Sequence, residues 1–241
     1  MSFHHRQRNI DKFIPTLKIK DYIIERVSHF NFLGLTVDEH MSWDAHLQRA
    51  ATKISSPLGI MIRIKRFLPT YILNLLYNSL VLPHLQYCIL NWGSKSERMY
   101  KLQKRAVRIL SCSKYNAHTE PLFKKFNLLK LQDIFVQCCL KFYYKYVHNT
   151  LPLYFTDMFI PVFHNYDTRH KGGFYQCVPS TSSGIKCLRY FLPSLLRCTP
   201  QCISEKIETH SFKGFADYIK ANIISNYSNV CIIDNCYICR I

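Results

Sequence analysis

Acidic residues are scarce in this sequence: 15 Asp and Glu stand against 32 Lys and Arg, for a formal charge of +17. Acid–base and two-metal sites need carboxylates placed in pairs. The sequence has one adjacent acidic pair, Asp38-Glu39, in a predicted turn before a helix. We therefore do not expect carboxylate-based catalysis. The charge instead favours a polyanionic partner, nucleic acid first and an anionic membrane surface second.

Motifs built on glycine or on an activated nucleophile are also missing. Glycine occurs only 7 times, and there is no phosphate-binding glycine loop, nucleophile triad or metalloprotease helix. The N-terminal residues do not form a signal peptide. The 11 cysteines are odd in number and irregularly spaced. We therefore expect an intracellular protein of the cytoplasm or nucleus, not secreted, with reduced cysteines.

Residues 67–94 lack Lys, Arg, Asp and Glu, which raises the question of a membrane span. Pro69, Pro83 and several polar side chains interrupt this stretch. Such interruptions favour a pair of buried helices over a lipid-facing span, and no membrane partner is expected.

The spacing of apolar residues changes between residues 29 and 47. Before this stretch, alternation over residues 17–37 predicts three short antiparallel strands, and Gly34 predicts a bulge or a close backbone approach in the third. After it, spacings of three and four predict helices, the first of them capped by Ser42. The predicted fold class is mainly α: a helical bundle with a small N-terminal antiparallel β unit and an irregular C-terminal segment.

Several helices follow from the spacing. The first starts near Trp43, and Pro57 within it predicts a kink or a break. Others are predicted after Pro69 and over residues 95–111, 131–148 and 188–224. Proline, glycine and serine accumulate over residues 151–184, which is typical of irregular structure. We accordingly divide the chain into residues 1–41, 42–150 and 151–241.

Basic residues concentrate on two of the predicted helices. One face of the helix over 95–111 carries Lys101, Lys104, Arg105 and Arg108, and the end of the first helix carries Arg63, Lys65 and Arg66. One interpretation is a solvated face opposite a core stripe. The other is a set of phosphate contacts, because like charges on one face repel unless an anion screens them.

Two groups of residues raise the question of a metal site. At the C-terminus, Cys231, Cys236 and Cys239 include a Cys-x2-Cys pair, and Cys198, Cys202 or His210 could complete a zinc site. The alternative is reduced cysteines in a frayed tail. Near the first helix, Asp38, Glu39, His40, Asp44 and His46 cluster in sequence, but helix capping and solvation account for them as well.

The order of four motifs resembles the end of the reverse transcriptases of non-LTR, Jockey-like retrotransposons. The first is Phe32-Leu33-Gly34-Leu35-Thr36-Val37-Asp38 followed by Ser42-Trp43-x2-His46-Leu47. The others are Leu80-x2-Pro83-x3-Tyr87-x4-Trp92-Gly93, then Leu102-Gln103-Lys104-Arg105-Ala106-Val107-Arg108-Ile109, then His118-Thr119-Glu120-Pro121-Leu122-Phe123. His210-Ser211-Phe212-Lys213 and Asn235-Cys236-Tyr237-Ile238-Cys239 are similar to the C-terminal ends of such reading frames.

The resemblance implies a palm end with a primer-grip hairpin over residues 1–41, a thumb-like helical domain over 42–150 and a C-terminal region over 151–241. It implies RNA-directed DNA polymerisation with Mg²⁺ held by palm aspartates, usually in a Tyr-Ala-Asp-Asp strand. That motif is absent here. By this resemblance the chain alone is inactive and has the N-terminal half of a polymerase as a partner. No cofactor is expected in this chain, apart from zinc if the C-terminal cysteines bind it.

The same resemblance assigns nucleic-acid contacts to named residues. Phe32, Leu33 and Gly34 correspond to the grip, which holds a template–primer duplex in the family. The expected partners are RNA, DNA or an RNA–DNA hybrid, with the basic helix residues as phosphate contacts by their charge. Two other hypotheses stay open: a non-catalytic basic helical domain that binds protein or is an unselected transposon relic, and a working polymerase.

Overall fold

Helices form most of the described part of the chain, after two short β-hairpins, in the computed structural model. The structure describes Phe3 and residues 17–95, 97–162, 174–176, 179, 184, 187–199 and 201–228. Within this part of the chain, no helix is both long enough and apolar enough to cross a membrane. The predicted class, mainly α with a small N-terminal antiparallel β unit, is confirmed.

The β unit consists of two separate hairpins. Its strands are β1 (Lys18–Ile19), β2 (Tyr22–Ile23), β3 (His29–Phe32) and β4 (Leu35–Asp38). β1 pairs antiparallel with β2, and β3 pairs antiparallel with β4 in a register that sets Phe32 opposite Leu35. The prediction of one three-stranded unit is therefore wrong, because the chain reverses at Leu33-Gly34 where a continuous third strand was expected.

The helices pack behind the hairpins. They are α1 (Asp44–Ile64), α2 (Thr70–Leu80), α3 (Leu82–Gln86), α4 (Ile89–Trp92), α5 (Glu97–Leu110), α6 (Glu120–Lys125), α7 (Leu131–Val147), α8 (Leu188–Cys198), α9 (Gln201–Thr209) and α10 (Phe212–Ser225). The helices predicted after Pro69 and over 95–111 and 131–148 are present at nearly those bounds. The helical pattern predicted over 188–224 comprises three helices.

Pro57 does not break α1, contrary to the prediction of a break. The proline lacks the N–H that would bond the carbonyl of Lys53, one turn earlier. The helix nevertheless continues to Ile64, and Ile54, Leu58 and Met61 on its inner face are fully buried. Burial of three large side chains around the proline offsets the roughly 3 kcal/mol cost of proline in a helix.

Asp38 organises the turn that leads into α1. Its carboxylate accepts hydrogen bonds from the backbone N–H of His40 (3.0 Å), Ser42 (2.9 Å) and Trp43 (2.9 Å) and from the Ser42 hydroxyl (3.0 Å). Burial alone would raise the pKa of Asp38, but these bonds outweigh it and lower the pKa. As predicted, the Ser42 hydroxyl oxygen accepts from the N–H of Asp44, the first residue of α1, at 3.3 Å. Trp43, between them, adopts a left-handed conformation (φ 64°).

One large core joins all three predicted regions of the chain. It includes Leu35 of β4, the inner faces of α1 to α7, and Leu192, Ile224 and Tyr227 near the C-terminal end of the described chain. A second, smaller cluster packs the apolar faces of α9 and α10 against Leu140 and Tyr144 of α7.

Tyr227 fixes the end of α10 against α7. Its hydroxyl donates to a carboxylate oxygen of Asp133 and accepts from the Lys130 backbone N–H (3.0 Å). The Lys124 ammonium donates to the Tyr227 carbonyl (2.7 Å). Burial raises the pKa of Asp133 and of Tyr227. These charged and polar groups therefore serve packing between the helices.

Candidate nucleic-acid interface

The residues predicted for the grip form the tip of the second hairpin. Leu33 (φ 48°) and Gly34 (φ 83°) both have positive φ, which is the geometry of the tight two-residue turns that join antiparallel strands. Phe32 and Leu33 are exposed. The Tyr87 hydroxyl, between α3 and α4, donates to the Leu33 carbonyl. The tip is thus held against the helices while its apolar side chains face outward.

Further polar contacts seat this hairpin on the first turns of α1. The Arg49 guanidinium donates to the Asn31 side-chain oxygen (2.9 Å), as does the Thr36 hydroxyl (2.7 Å). The Thr36 backbone N–H donates to Nδ1 of His46 at 3.4 Å. Because Nδ1 accepts this bond, the neutral ring carries its proton on Nε2. His46, which the sequence suggested as a metal ligand, therefore positions the hairpin.

His46 should make stability depend on pH. Burial, with Arg49 and Lys53 nearby, holds its pKa below the usual 6.5. Between pH 7.5 and 5.5 the unfolded chain takes up a proton that the folded chain resists, so the free energy of unfolding should fall as pH falls. Urea unfolding at several pH values measures this slope. His46→Asn keeps an acceptor near Nδ1 but cannot titrate, so its slope should be smaller.

Burial and the nearby Lys53 also lower the pKa of His84. His84 therefore makes the free energy of unfolding fall with pH in the same direction, and this part of the slope remains in the His46→Asn variant. A variant whose slope equals that of the unmodified chain would contradict the role given to His46.

α1 and α5 pack side by side and run in the same direction. At one end, the His46 ring lies 6.2 Å from the ring of Trp92, the last residue of α4, five positions before α5 begins. At the other end, the Cys112 sulfur lies 3.8 Å from the Lys65 carbonyl oxygen. The basic C-terminal ends of both helices therefore come together at one end of the bundle.

The predicted cations of α5 divide into two kinds. Lys101 and Arg105 are exposed. Lys104 lies over the Tyr100 ring (4.3 Å to its centre), and the Nε of Arg108 donates to the Ala117 carbonyl at 2.7 Å. Burial lowers the pKa of Arg108. Lys101 and Arg105 are thus directed to solvent, whereas Arg108 anchors the loop after α5.

The other predicted cations lie at the end of α1. Arg63 and Arg66 are exposed and Lys65 is half-buried. From residue 45 to residue 119, 12 Lys and Arg are accompanied by one acidic residue, Glu97. The predicted set omits Arg98 and Lys114, which are also exposed. Counting charge over the whole stretch, rather than one helix face at a time, would have found them.

Acidic side chains of α6 and α7 are engaged inside the bundle. Glu120 pairs with the Lys130 ammonium at 2.6 Å, and Asp133 accepts from Tyr227. Burial and the nearby Glu120 and Asp133 carboxylates raise the pKa of Tyr100. These acids therefore lie on the Tyr100 side of α5. Among the described residues, the ion pairs seen do not include the exposed cations of α1 and α5.

Metal ligation has no support among the described residues, where no three His, Cys, Asp or Glu side chains come close enough to hold an ion. Asp38 accepts hydrogen bonds within the turn before α1, and Glu39 pairs with Arg26 at 3.3 Å. The zinc ligands predicted at Cys231, Cys236 and Cys239 lie outside the described residues.

Comparison with protein-family models, with curated proteins and with solved structures gives no match to this chain.

Proposed function

We propose that this chain is the C-terminal portion of a non-LTR retrotransposon reverse transcriptase, without catalytic activity of its own, and that it binds the backbone of a template–primer duplex through α1 and α5. The observation that carries the proposal is the charge of residues 45–119, which hold 12 cations and a single acid. Eight of these cations lie on α1 and α5, whose C-terminal ends meet. The order of sequence motifs supports the family, and the charge supports the ligand.

A nucleic-acid backbone suits this surface in charge and in length. Exposed cations on adjacent positions repel one another, and phosphates screen that repulsion while condensed counterions are released. A helix of 21 residues such as α1 spans about 30 Å, which is close to one turn of a duplex. Cations spread along such a helix can therefore contact phosphates at separate positions within one turn of the duplex.

The residues present do not fit the two Mg²⁺ ions of the family. Two-metal phosphoryl transfer requires carboxylates that clamp both ions. In the one adjacent acidic pair, Asp38 accepts from the Ser42 N–H just before α1, and Glu39 pairs with Arg26. Catalysis is therefore no part of the proposal for this chain.

The hairpins favour a protein partner in addition. Leu17, Ile19, Tyr22, Ile23, Ile24, Phe30, Phe32 and Leu33 are all exposed large apolar side chains. Short hairpins with apolar faces are not stable alone and need covering. We propose that the polymerase portion bearing the catalytic aspartates covers them, inside the cell. The same surface favours the second candidate function, a non-catalytic protein-interaction domain.

Fluorescence anisotropy with a labelled 20-base-pair RNA–DNA hybrid tests the proposal. We expect micromolar or tighter binding at 50 mM salt, and no primer extension with Mg²⁺. Absence of binding to the hybrid at low salt would overturn the proposed function. A protein partner retained after nuclease treatment, together with absence of hybrid binding, would favour the interaction domain.

A further inference from the structure

Two exposed aromatic rings stand at the basic end of the bundle. Phe67, just after α1, has 82% of its surface exposed, and Tyr115, in the loop after α5, has 90% exposed. Neither ring belongs to the core clusters. Single exposed apolar side chains are common on protein surfaces, so what matters here is where these two rings lie and which charges stand beside them.

The two loops that carry these rings adjoin. The contact between the Cys112 sulfur and the Lys65 carbonyl oxygen, at 3.8 Å, joins a residue two positions before Phe67 to one three positions before Tyr115. The two rings therefore belong to one end of the bundle, the end where the basic C-termini of α1 and α5 meet.

Hydrogen bonds hold both loops. The Phe67 N–H donates to the Ile64 carbonyl at 2.9 Å. Tyr115 occupies the second position of a turn closed by the Ala117 N–H and the Lys114 carbonyl at 3.1 Å. Arg108 binds the Ala117 carbonyl and fixes that turn to α5. The rings thus project from anchored backbone, which lowers the entropy lost on binding a ligand.

A cation precedes each ring. Arg66 stands directly before Phe67, and Lys114 directly before Tyr115, and both side chains are exposed. Phosphate-binding cations beside free aromatic faces are the combination that binds single-stranded nucleic acid, because each base has a face on which a ring can stack. Bases inside a duplex are already stacked on one another, so these rings add little for a blunt duplex.

We propose that this end of the bundle, Arg66, Phe67, Lys114 and Tyr115, binds unpaired nucleotides by stacking their bases on the two rings. The proposal rests on the proposed function, since it extends the duplex-binding surface to an adjoining single strand. The exposed cations continue from these loops along α5 to Arg105 and Lys101. A linear track of this kind suits an extended polyanion better than it suits a planar anionic membrane.

The test compares the full chain with Phe67→Ala/Tyr115→Ala on four probes: 12-nucleotide single-stranded RNA, the same sequence as DNA, a blunt RNA–DNA hybrid, and phosphatidylserine vesicles. For single strands we expect binding weakened about 30-fold or more, with an unchanged salt slope, because stacking releases no counterions. Hybrid binding should stay within about twofold. The RNA and DNA arms show which single strand is preferred.

Two further variants serve as controls. Tyr154→Ala/Tyr175→Ala removes two exposed rings, 90% and 62% exposed, that lie outside α1, α5 and the loops after them, and this variant should bind all probes as the unmodified chain does. Phe67→Trp/Tyr115→Phe keeps two rings and should restore single-strand binding. Far-ultraviolet circular dichroism verifies that each variant is folded.

The outcomes separate the two proposals. Hybrid binding by the full chain with equal single-strand affinity in Phe67→Ala/Tyr115→Ala overturns the stacking proposal and leaves the proposed function in place. A loss confined to vesicles also overturns stacking and indicates a membrane surface. No binding of any nucleic acid by the full chain overturns both.

Discussion

Neutralising Arg63, Arg66 and Arg105 together, by substitution with glutamine, is expected to weaken binding of an RNA–DNA hybrid by about 10²–10³-fold at 0.1 M salt. Each phosphate contact contributes about 0.9 to the dependence of log affinity on log salt, so three contacts are worth nearly three decades at 0.1 M. The three side chains are exposed and their loss removes no core packing. Anisotropy titration with the labelled hybrid measures the change.

The chain offers a matched control for this triple substitution. Arg189, Arg197 and Lys213 are also exposed and lie on or beside α8 and α10, outside the α1–α5 pair. Their replacement by glutamine makes the same change in net charge, and it should weaken hybrid binding by less than about tenfold. Equal losses in the two triple variants would mean that net charge alone attracts the hybrid.

Trp92→Ala is expected to have the largest effect on folding, lowering the free energy of unfolding by about 3–5 kcal/mol. The indole is fully buried, and its N–H donates to the Tyr87 carbonyl at 2.9 Å. Tyr87 in turn bonds Leu33 at the tip of the second hairpin. Removing Trp92 therefore leaves a cavity and loosens the segment that holds the hairpin. Urea unfolding followed by circular dichroism measures the loss.

A conservative substitution separates the two contributions of Trp92. Trp92→Phe keeps most of the ring but loses the hydrogen bond to the Tyr87 carbonyl, and it should cost about 1–2 kcal/mol. A loss below 1 kcal/mol for Trp92→Ala would contradict the packing described around α4.

Local sequence pattern predicted the helices well because their inner faces repeat over several turns. The helix over 131–147 is an example: Leu131, Ile134, Phe135 and Leu140 recur at helical spacing and are buried. Over several turns, the burial of such a repeat outweighs a single residue that disfavours a helix. The same packing explains why α1 is not broken at Pro57, where a kink or a break was predicted, since buried side chains on both sides of the proline hold the helix.

The hairpin turn could not be predicted from local preference. Leucine has little tendency to adopt positive φ, and Leu33 does so at 48°. The bond from Tyr87, 54 positions away in sequence, accompanies this conformation. Likewise, Asp38 holds the turn before α1 by accepting from the N–H groups of Ser42 and Trp43, and Trp43 there adopts a left-handed conformation that tryptophan rarely takes.

The sequence predicted that the basic residues of α5 share one face of the helix, but it did not predict which groups each side chain contacts. Helical spacing places Lys101, Lys104, Arg105 and Arg108 together. Only the three-dimensional contacts show that Arg108 holds the Ala117 carbonyl and that Lys104 lies over Tyr100. The meeting of the basic ends of α1 and α5 depends on residues 47 positions apart and has no local signal.

The salt dependence of hybrid binding tests the central claim most directly. Affinity of the full chain for the RNA–DNA hybrid is measured from 50 to 300 mM salt. The proposal predicts a linear plot of log affinity against log salt with a slope of about −4 to −6, reduced by nearly three in Arg63→Gln/Arg66→Gln/Arg105→Gln. A slope near zero, or one that this triple substitution leaves unchanged, would contradict phosphate binding by α1 and α5.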